Sequence, residues 1–384
     1  MQENLLMSIK TKYTNQIFNG TKIYEFRRKS IGEKNLNKKI YIYSSEEAKE
    51  IVGFIIVDKI LSGSVNKLLK ETEYPDKKAI REYFKDSKEC YALHIKETYK
   101  FIKPIKINEI NFTVPQFYRY ISKEEELYKV ISKRNIIHKM KLQPKYFDYI
   151  KSGTKRIELR LYDEKRKLIK NNDRIIFIND KNHEEKLITH VKAIHRAKTF
   201  ENLFNNFDIS ILADSSKTKE NLLKELNKFY TQEDQEKYGV IGLEIVTPYV
   251  LNSELNKKII DEIYKTTKEI EKYYSDYKEW FYKKQTIKSD NRKTIYIKKD
   301  NQIIAVVNLK KDEKKLCTLY VSKTYRNQGI SSILLEEAFK YLETTKPYLT
   351  CNQEKENHIK PLMIKYGWKK TNVVNEEIFF NGGK

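Results

Sequence analysis

A glycine-containing turn is the feature of this 384-residue chain that most directly suggests chemistry. It spans residues 326–331 and reads R-N-Q-G-I-S. The β-prone residues 317–321 precede it, and residues 330–342 follow it with apolar side chains at helical spacing. The first N–H groups of a helix lack intrahelical acceptors and the helix dipole favours negative charge there, so the turn predicts an anion-binding site. Gly329, which has no Cβ, would let the backbone approach a pyrophosphate closely.

Short strands and helices on both sides must position this turn. Residues 294–297 and 302–309 have the pattern of two strands joined by K-K-D-N, which is typical of a hairpin. Residues 348–351 predict another strand, and residues 358–366 predict a helix that ends at the dipeptide G-W at 367–368.

The stretch upstream of these strands is less regular. Residues 253–284 carry apolar side chains at helical spacing and predict a long helical segment. This segment is either the helical part of the same domain or a rigid linker. A first strand for the domain, if there is one, comes from residues 249–251.

The turn and its surroundings resemble the GNAT N-acetyltransferases, whose motif A, R/Q-x-x-G-x-G/A, cradles the pyrophosphate of acetyl-coenzyme A. Arg326 and Gly329 fall on the motif, and Ser331 stands where Gly or Ala is usual. Val321 also fits the family pattern, five residues before Arg326. The resemblance implies a mixed-sheet α/β acyltransferase domain over residues 250–384. It further implies acetyl-CoA as co-substrate and direct transfer of acetyl to an amine.

The resemblance also implies roles for individual residues. The strand residues 319–321 would hydrogen-bond the pantetheine arm, and the backbone amides of the turn would hold the pyrophosphate. The cofactor-binding residues predicted in this way are Leu319, Tyr320, Val321, Arg326, Asn327, Gln328, Gly329, Ile330, Ser331, Ser332 and Asn357.

The catalytic acid is less directly indicated. Counting back from Gly367 and Trp368 puts Met363 where the family usually has an acid tyrosine, and methionine cannot donate a proton. Tyr366 lies three residues further on, on roughly the same helix face, and is the candidate acid. The alternative for Tyr366 is a core aromatic at the end of the helix.

The front of the chain contains an internal repeat. The octet G-T-K-I-Y-E-F-R at 20–27 recurs 133 positions later as G-T-K-R-I-E-L-R at 153–160, and the same offset pairs Tyr13 with Tyr146. Each octet is followed by the same succession of strands, helical stretch and closing strand. Self-similarity at this distance predicts two copies of one whole domain.

Both octets resemble G-x-K-x-x-E-x-R, the signature of the ASCH superfamily of small β-barrel domains related to the PUA fold. The resemblance implies ASCH domains at 1–137 and 138–249, each with a nucleic-acid-associated cleft. The residues predicted to bind nucleic acid are Lys22, Glu25, Arg27, Arg28, Lys155, Glu158 and Arg160. The alternative is that the Glu–Arg pairs are structural and that the two octet glycines cap helices. ASCH hydrolases that deacylate N4-acylcytidines carry threonine where this chain has Glu25 and Glu158, which argues against that activity.

The composition is compatible with a phosphate-rich partner. The formal net charge is +23, and there are 28 tyrosines, which can stack on unpaired bases. An AT-rich genome would also enrich lysine and tyrosine. The three cysteines lie far apart and the six histidines have no ligand spacing, so we expect neither disulfides nor a metal site. We expect no membrane segment and no secretory signal, and hence a cytoplasmic protein.

The sequence therefore predicts an α+β multidomain protein, with two PUA-like β-barrel (ASCH) domains followed by a mixed-sheet α/β GNAT domain. The favoured function is an acetyl-CoA-dependent N-acetyltransferase acting on RNA, or on an RNA-associated protein, recruited by the ASCH domains. One alternative is a nucleic-acid-binding regulator that senses acetyl-CoA without turnover. Another is an N-acetyltransferase acting on a small molecule or a host protein.

Overall fold

The computed structural model describes residues 4–46, 48–87, 89–110, 112–214, 216–287 and 289–382. The chain divides into two compact units, Met1–Ile137 and His138–Lys384.

The first unit is built on a mixed sheet. Its strands are β1 (Asn4–Lys10), β2 (Tyr24–Arg27), β3 (Lys39–Ser45), β4 (Glu50–Gly63), β5 (Cys90–Lys106) and β6 (Tyr118–Ile121). Its helices are α1 (Thr11–Asn19), α2 (Val65–Thr72), α3 (Lys77–Tyr83) and α4 (Glu126–Ile131). β1 pairs parallel with β3, whereas the β3–β4, β4–β5 and β2–β5 pairs are antiparallel. The core packs alternate residues of β1 and β3 against α1, as the period of a half-buried strand requires.

The first part of the second unit repeats this order of elements. Its strands are β7 (Ile136–Leu142), which crosses the division, β8 (Ile157–Leu161), β9 (Arg174–Asn179), β10 (Lys186–Ala197) and β11 (Val240–Ile245). Its helices are α5 (Pro144–Lys151), α6 (Phe200–Phe204), α7 (Ile209–Leu212), α8 (Lys219–Asn227) and α9 (Gln232–Tyr238). The antiparallel pairs β9–β10, β10–β11 and β8–β11 correspond one to one with those of the first unit. The two-barrel arrangement itself stays a prediction.

The second part of this unit has a mixed α/β content. Its strands are β12 (Tyr249–Asn252), β13 (Arg292–Lys299), β14 (Gln302–Lys310), β15 (Lys315–Val321), β16 (Leu349–Asn352), β17 (Lys370–Val374) and β18 (Glu377–Phe380). Its helices are α10 (Lys257–Thr267), α11 (Tyr277–Trp280), α12 (Ile330–Leu342) and α13 (Glu356–Tyr366). β12 to β15 form an antiparallel run, and β16, β18 and β17 form a separate sheet. The predicted β13–β14 hairpin is confirmed, and its two turn residues, Asp300 and Asn301, both have positive φ.

The two predictions made for the residues upstream of the hairpin agree with the structure to different degrees. Residues 249–251 do form a strand, and β12 pairs with both β10 and β13, so it joins the two parts of the unit. The helical segment predicted over 253–284 is present but interrupted, because α10 ends at Thr267 and is followed by 3₁₀, short α and π turns, so the alternative of a rigid linker helix is wrong. The hydroxyls of Thr266 and Thr267 hydrogen-bond back to the carbonyls of Glu262 and Ile263, a pattern that disfavours continuation of a helix.

Candidate functional site

A wedge-shaped cavity opens between β15 and β16. The two strands meet in parallel at Lys315 and Tyr348, where the Leu316 N–H donates to the Tyr348 carbonyl at 2.9 Å. Beyond that point they belong to different sheets, and a cavity of about 800 Å³ lies between them. A volume of this size is typical of a small-molecule or cofactor site.

The predicted anion site lies on the wall of this cavity. α12 begins after Gly329, whose φ is 78°, and no side chain caps it. Asn327 is also in the left-handed region, with a φ of 63°. Across the ranges that the structure describes, no protein acceptor takes a hydrogen bond from the backbone N–H groups of residues 327–331. Several successive unpaired N–H groups at a helix start form a ready site for phosphate oxygens.

The structure brings most of the predicted cofactor-binding residues together. Ten of the eleven line the cavity: Leu319, Tyr320, Val321, Arg326, Asn327, Gly329, Ile330, Ser331, Ser332 and Asn357. Gln328 does not line it, because its side chain donates to the Thr324 carbonyl and accepts from the Tyr249 hydroxyl.

Positive side chains flank the open turn. The Arg326 guanidinium donates to the Val321 carbonyl at 3.0 Å and lies 3.6 Å from Glu269 across the cavity mouth. Lys365, from α13, donates to the Ser332 hydroxyl at 2.8 Å. These contacts keep two cations beside the unpaired N–H groups, where an anion would gain from both.

Tyr366 and Met363 lie outside the cavity. The Tyr366 ring packs edge-on against Phe339, with centroids 5.0 Å apart, and stacks on Trp368 at 5.7 Å. Both Tyr366 and Met363 pack against the hydrophobic core under α12. The Tyr366 ring does not itself line the cavity, although its neighbour Trp368 does, and the catalytic role of Tyr366 stays a prediction.

An aromatic wall faces β15 and β16, and sequence reasoning missed it. Tyr273, Tyr274 and Trp280 come from the irregular helical segment after α10 and line the cavity, as does Glu377 from β18. Burial raises the pKa of Tyr274 to about 12, and the nearby Glu377 carboxylate adds to that effect. The aromatic positions at helical spacing were the available signal, but the same spacing also describes an ordinary buried helix face.

Two cysteines also line the cavity, and burial raises the pKa of both the Cys317 and the Cys351 thiol to about 11. At pH 8 only about one thiol in a thousand would be ionised, so both should react slowly with iodoacetamide. We expect the alkylation rates, measured by mass spectrometry of peptides, to rise about tenfold per pH unit from pH 7 to 10. A pH-independent rate, or reaction as fast as in urea-unfolded protein, would contradict the burial of these thiols.

The repeated octets form buried charge clusters rather than open ones. In the first copy Glu25 lies 3.2 Å from Lys22 and 3.0 Å from Arg27, and all three are less than 10% exposed. The Lys22 ammonium also lies over the rings of Tyr13 and Tyr74. Burial lowers the pKa of Lys22, and the Glu25 charge partly opposes this effect.

The second copy repeats the two ion pairs and one of the tyrosine contacts of this cluster. Glu158 lies 3.6 Å from Lys155 and 2.8 Å from Arg160, and Lys155 lies over the Tyr146 ring. Burial lowers the pKa of Lys155 as well. In both copies the arginine ties the octet strand to the strand that opens the copy, because Arg27 donates to the Ser8 carbonyl and Arg160 to the Lys141 carbonyl.

The positions of these contacts follow the offset of the repeat. Ser8 and Lys141 are 133 positions apart, as are Tyr13 and Tyr146. The prediction that Gly20 caps a helix is confirmed, since it ends α1 with a φ of 88°. Gly153 has a φ of 80°, and its N–H donates to the Ile150 carbonyl at the end of α5. Arg28, just beyond the first octet, is exposed and donates to the Tyr83 carbonyl.

Comparison with known proteins identifies two domains. The model of the ASCH domain matches residues 140–249, and the model of the acetyltransferase (GNAT) domain matches residues 261–382. The chain thus contains an ASCH domain followed by a C-terminal GNAT domain, as predicted for these two parts of the sequence. The GNAT match supports acetyl-CoA as co-substrate.

Individual relatives each cover about a third of the chain. An ASCH domain-containing ribonuclease from Zymomonas mobilis is 28% identical, over 32% of this chain and 88% of its own length. The crystal structure of ASCH from Zymomonas mobilis covers 34% of this chain and 96% of its own, with 26% identity and a TM-score of 0.32. The crystal structure of the PaiA N-acetyltransferase of Thermoplasma acidophilum, in complex with coenzyme A, covers 34% of this chain and 96% of its own. The identity is 16% and the TM-score is 0.29.

None of the helices in the described ranges combines the length and the apolar character needed to span a membrane. Among the same residues, no group of three or more His, Cys, Asp or Glu side chains is arranged to hold a metal ion.

Proposed function

We propose that the chain is an acetyl-CoA-dependent N-acetyltransferase that acts on an amine of RNA or of an RNA-associated protein. The main support for the proposal is the series of backbone N–H groups at residues 327–331 that have no protein acceptor among the described residues. They lie on the wall of the cavity of about 800 Å³ between β15 and β16. The pyrophosphate would bind at this turn, with Arg326 and Lys365 beside it. The pantetheine arm would then follow the β15 edge between residues 319 and 321 toward the aromatic wall.

We extend the proposal to the first unit, as a second ASCH-like domain within residues 1–137. Its support is the repetition of strand pairing, of the Lys–Glu–Arg cluster and of the arginine-to-carbonyl contact at one constant offset. Corresponding side chains that make the same contacts at a fixed sequence distance are the result expected from duplication of a whole domain. The proposed domains are then 1–137, 138–249 and 250–384.

Recruitment of RNA is proposed for the ASCH regions, and similarity to an ASCH ribonuclease supports it. The octet residues Lys22 and Lys155 are 4% and 3% exposed, so they would form the floor of a binding cleft. Phosphate contacts would then come from exposed basic side chains beyond the octets, such as Arg28 in the first copy and Lys167 in the second.

Neutralising these exposed cations should weaken RNA binding in a salt-dependent way. Each phosphate contact on a single strand adds about 0.7 to the steepness with which log affinity falls against log salt concentration. We therefore expect each double variant to reduce this steepness by about 1.4. The two double variants are Arg28→Gln/Lys29→Gln and Lys165→Gln/Lys167→Gln. The measurement is a gel shift with single-stranded RNA over a range of salt concentrations. Lys278→Gln/Lys283→Gln removes the same charge from an exposed helical face and serves as the control. Equal slopes in all variants would show that RNA binds elsewhere.

A sensor that binds acetyl-CoA without turnover is the second candidate function. The observation that favours it is that Met363 occupies the usual acid position and Tyr366 packs, partly buried, against the core, which leaves that position without a proton donor. Binding of acetyl-CoA by titration calorimetry with no release of free coenzyme A, in the presence of host RNA and protein, would select this candidate.

A further inference from the structure

One sheet in the second unit serves two hydrophobic cores. On β9, Ile175 and Phe177 pack in the core of the ASCH domain, whereas Ile176 between them packs against the core under α12. β10 divides in the same way, with Leu187 in the first core and Ile188 in the second. Successive side chains of a strand point to opposite faces of its sheet, so the core of the GNAT domain lies on the outer face of the ASCH strands.

The strand β12 belongs to both domains. It pairs with β10 on one side and with β13 on the other. Val250 packs against the core of the ASCH domain, and its neighbours Tyr249 and Leu251 pack on the side of the core under α12. β12 therefore closes the sheet of the ASCH domain and opens the sheet of the GNAT domain.

Ion pairs cross the same junction. Lys186 of β10 lies 2.5 Å from Glu337 of α12, and Lys293 of β13 lies 2.5 Å from Glu184, in the turn before β10. Packing and charge thus both hold β12 and α12 in place on the ASCH strands.

Tyr249, at the start of β12, reaches the anion turn. Its hydroxyl donates to the Gln328 side-chain oxygen at 3.3 Å, and the Gln328 side-chain nitrogen donates to the Thr324 carbonyl at 3.0 Å. The Tyr249 ring packs against the same core as Tyr325, which lines the cavity. The Lys299 ammonium lies 5.2 Å from the centroid of the Tyr249 ring. These contacts fix the Tyr249 hydroxyl beside the turn.

The turn needs such support to stay open. Gln328 lies between Asn327 and Gly329, and both neighbours have positive φ. A left-handed conformation is unfavourable for a residue with a Cβ, so surrounding contacts must stabilise it at Asn327. The backbone N–H groups of residues 327–331 make no hydrogen bonds to the described parts of the chain that could do so. A turn that is already ordered loses less freedom when its ligand binds, which raises affinity.

We propose that Tyr249 is a positioning residue for acetyl-CoA, acting through Gln328 on the turn that would hold the pyrophosphate. The ASCH strands thereby support the acetyl-CoA site, because β12 is held on β10. This inference rests on the proposed function and adds a role for the ASCH domain to it. It also gives Gln328, which does not line the cavity, a role in cofactor binding: its side chain orients the turn. The sequence gives no sign of a role for Tyr249.

The test is a double-mutant cycle on the acetyl-CoA affinity of the full chain, measured by titration calorimetry. Tyr249→Phe keeps the packed ring and removes only the hydroxyl, and Gln328→Ala removes its partner. Loss of one hydrogen bond that orders the site should raise the Kd of Tyr249→Phe for acetyl-CoA about fivefold. Because both substitutions break the same contact, the double variant should bind no more weakly than Gln328→Ala alone.

Tyr296→Phe is the matched control. The Tyr296 hydroxyl, on the neighbouring strand β13, donates to the Glu254 carbonyl at 3.1 Å, and Tyr296 does not line the cavity. The control therefore makes the same chemical change without touching the turn, and its Kd should equal that of the wild type. The urea midpoint should fall no further in Tyr249→Phe than in Tyr296→Phe, so a general loss of stability would not explain the weaker binding.

Three results would overturn the inference and leave the proposed function standing. The first is wild-type affinity in Tyr249→Phe, and the second is an equal loss of affinity in Tyr296→Phe. The third is a double variant in which the two losses multiply, because independent losses do not pass through one contact. A wild-type chain that does not bind acetyl-CoA would instead remove the proposed function itself.

Discussion

Gly329→Glu should abolish acetyl-CoA binding. The Gly329 φ of 78° is a conformation that residues with a Cβ rarely adopt, and the space around a Cβ at this position is open toward the cavity. A glutamate there would fill the phosphate position and place a carboxylate where two phosphates must sit. In titration calorimetry the wild-type chain should bind acetyl-CoA, and the variant should give no measurable heat, a loss of at least about 100-fold in affinity.

Gly20→Glu is the control for this substitution. Gly20 has a φ of 88° and a ψ of 5°, close to the 78° and 6° of Gly329, and a Cβ there would also meet open space, so a similar backbone strain and the same charge are introduced in the first unit. It should leave the acetyl-CoA affinity unchanged. If Gly329→Glu binds acetyl-CoA as tightly as Gly20→Glu does, the turn is not the pyrophosphate site.

Glu158→Ala should strongly destabilise the second unit. The substitution removes the anion from between Lys155 and Arg160 and leaves the buried Lys155 and the largely buried Arg160, whose side chain is 17% exposed, without it. Removing one partner of a buried ion pair lowers the free energy of unfolding by about 3–5 kcal/mol, because the remaining charge stays desolvated. The urea midpoint should therefore fall by roughly 2 M, given usual urea dependences of about 1–3 kcal/mol per M.

Both tryptophans, Trp280 and Trp368, lie in the second unit, so their fluorescence follows its unfolding. Glu164→Ala removes an exposed carboxylate that pairs with Lys167 and should leave the midpoint unchanged within error. Glu25→Ala makes the equivalent change in the first unit. It should lower the urea midpoint of the unfolding transition that circular dichroism detects, with little effect on the midpoint that tryptophan fluorescence detects. A Glu158→Ala midpoint equal to that of Glu164→Ala would mean that the cluster does not stabilise the fold.

Local patterns made much of the fold and of the anion turn predictable from the sequence. The start and end of α12 follow from the apolar spacing of residues 330–342, and the observed helix has those bounds. The repeat was visible because an octet keeps its lysine, glutamate and arginine in one short stretch. In each of these cases the interactions that decide the structure lie within one or two elements.

The features that sequence reasoning missed depend on distant contacts. Whether Tyr366 faces the cavity or the core depends on Phe339 and Trp368, which come from other elements of the domain. Tyr273 and Tyr274 line the cavity only because the helix breaks after Thr267, and helical spacing alone cannot show such a break. The burial of Lys22 and Lys155 depends in the same way on aromatic rings and carbonyls supplied from elsewhere.

Transfer of labelled acetyl is the decisive measurement for this chain. The full-length chain and its Gly329→Glu variant are incubated with radiolabelled acetyl-CoA and host lysate, and the RNA and protein fractions are separated and counted. We expect label in a macromolecular fraction with the wild-type chain and background counts with the variant. Counts equal for the wild type and the variant in both fractions, with no release of free coenzyme A, would contradict acetyl transfer to RNA or protein by this chain.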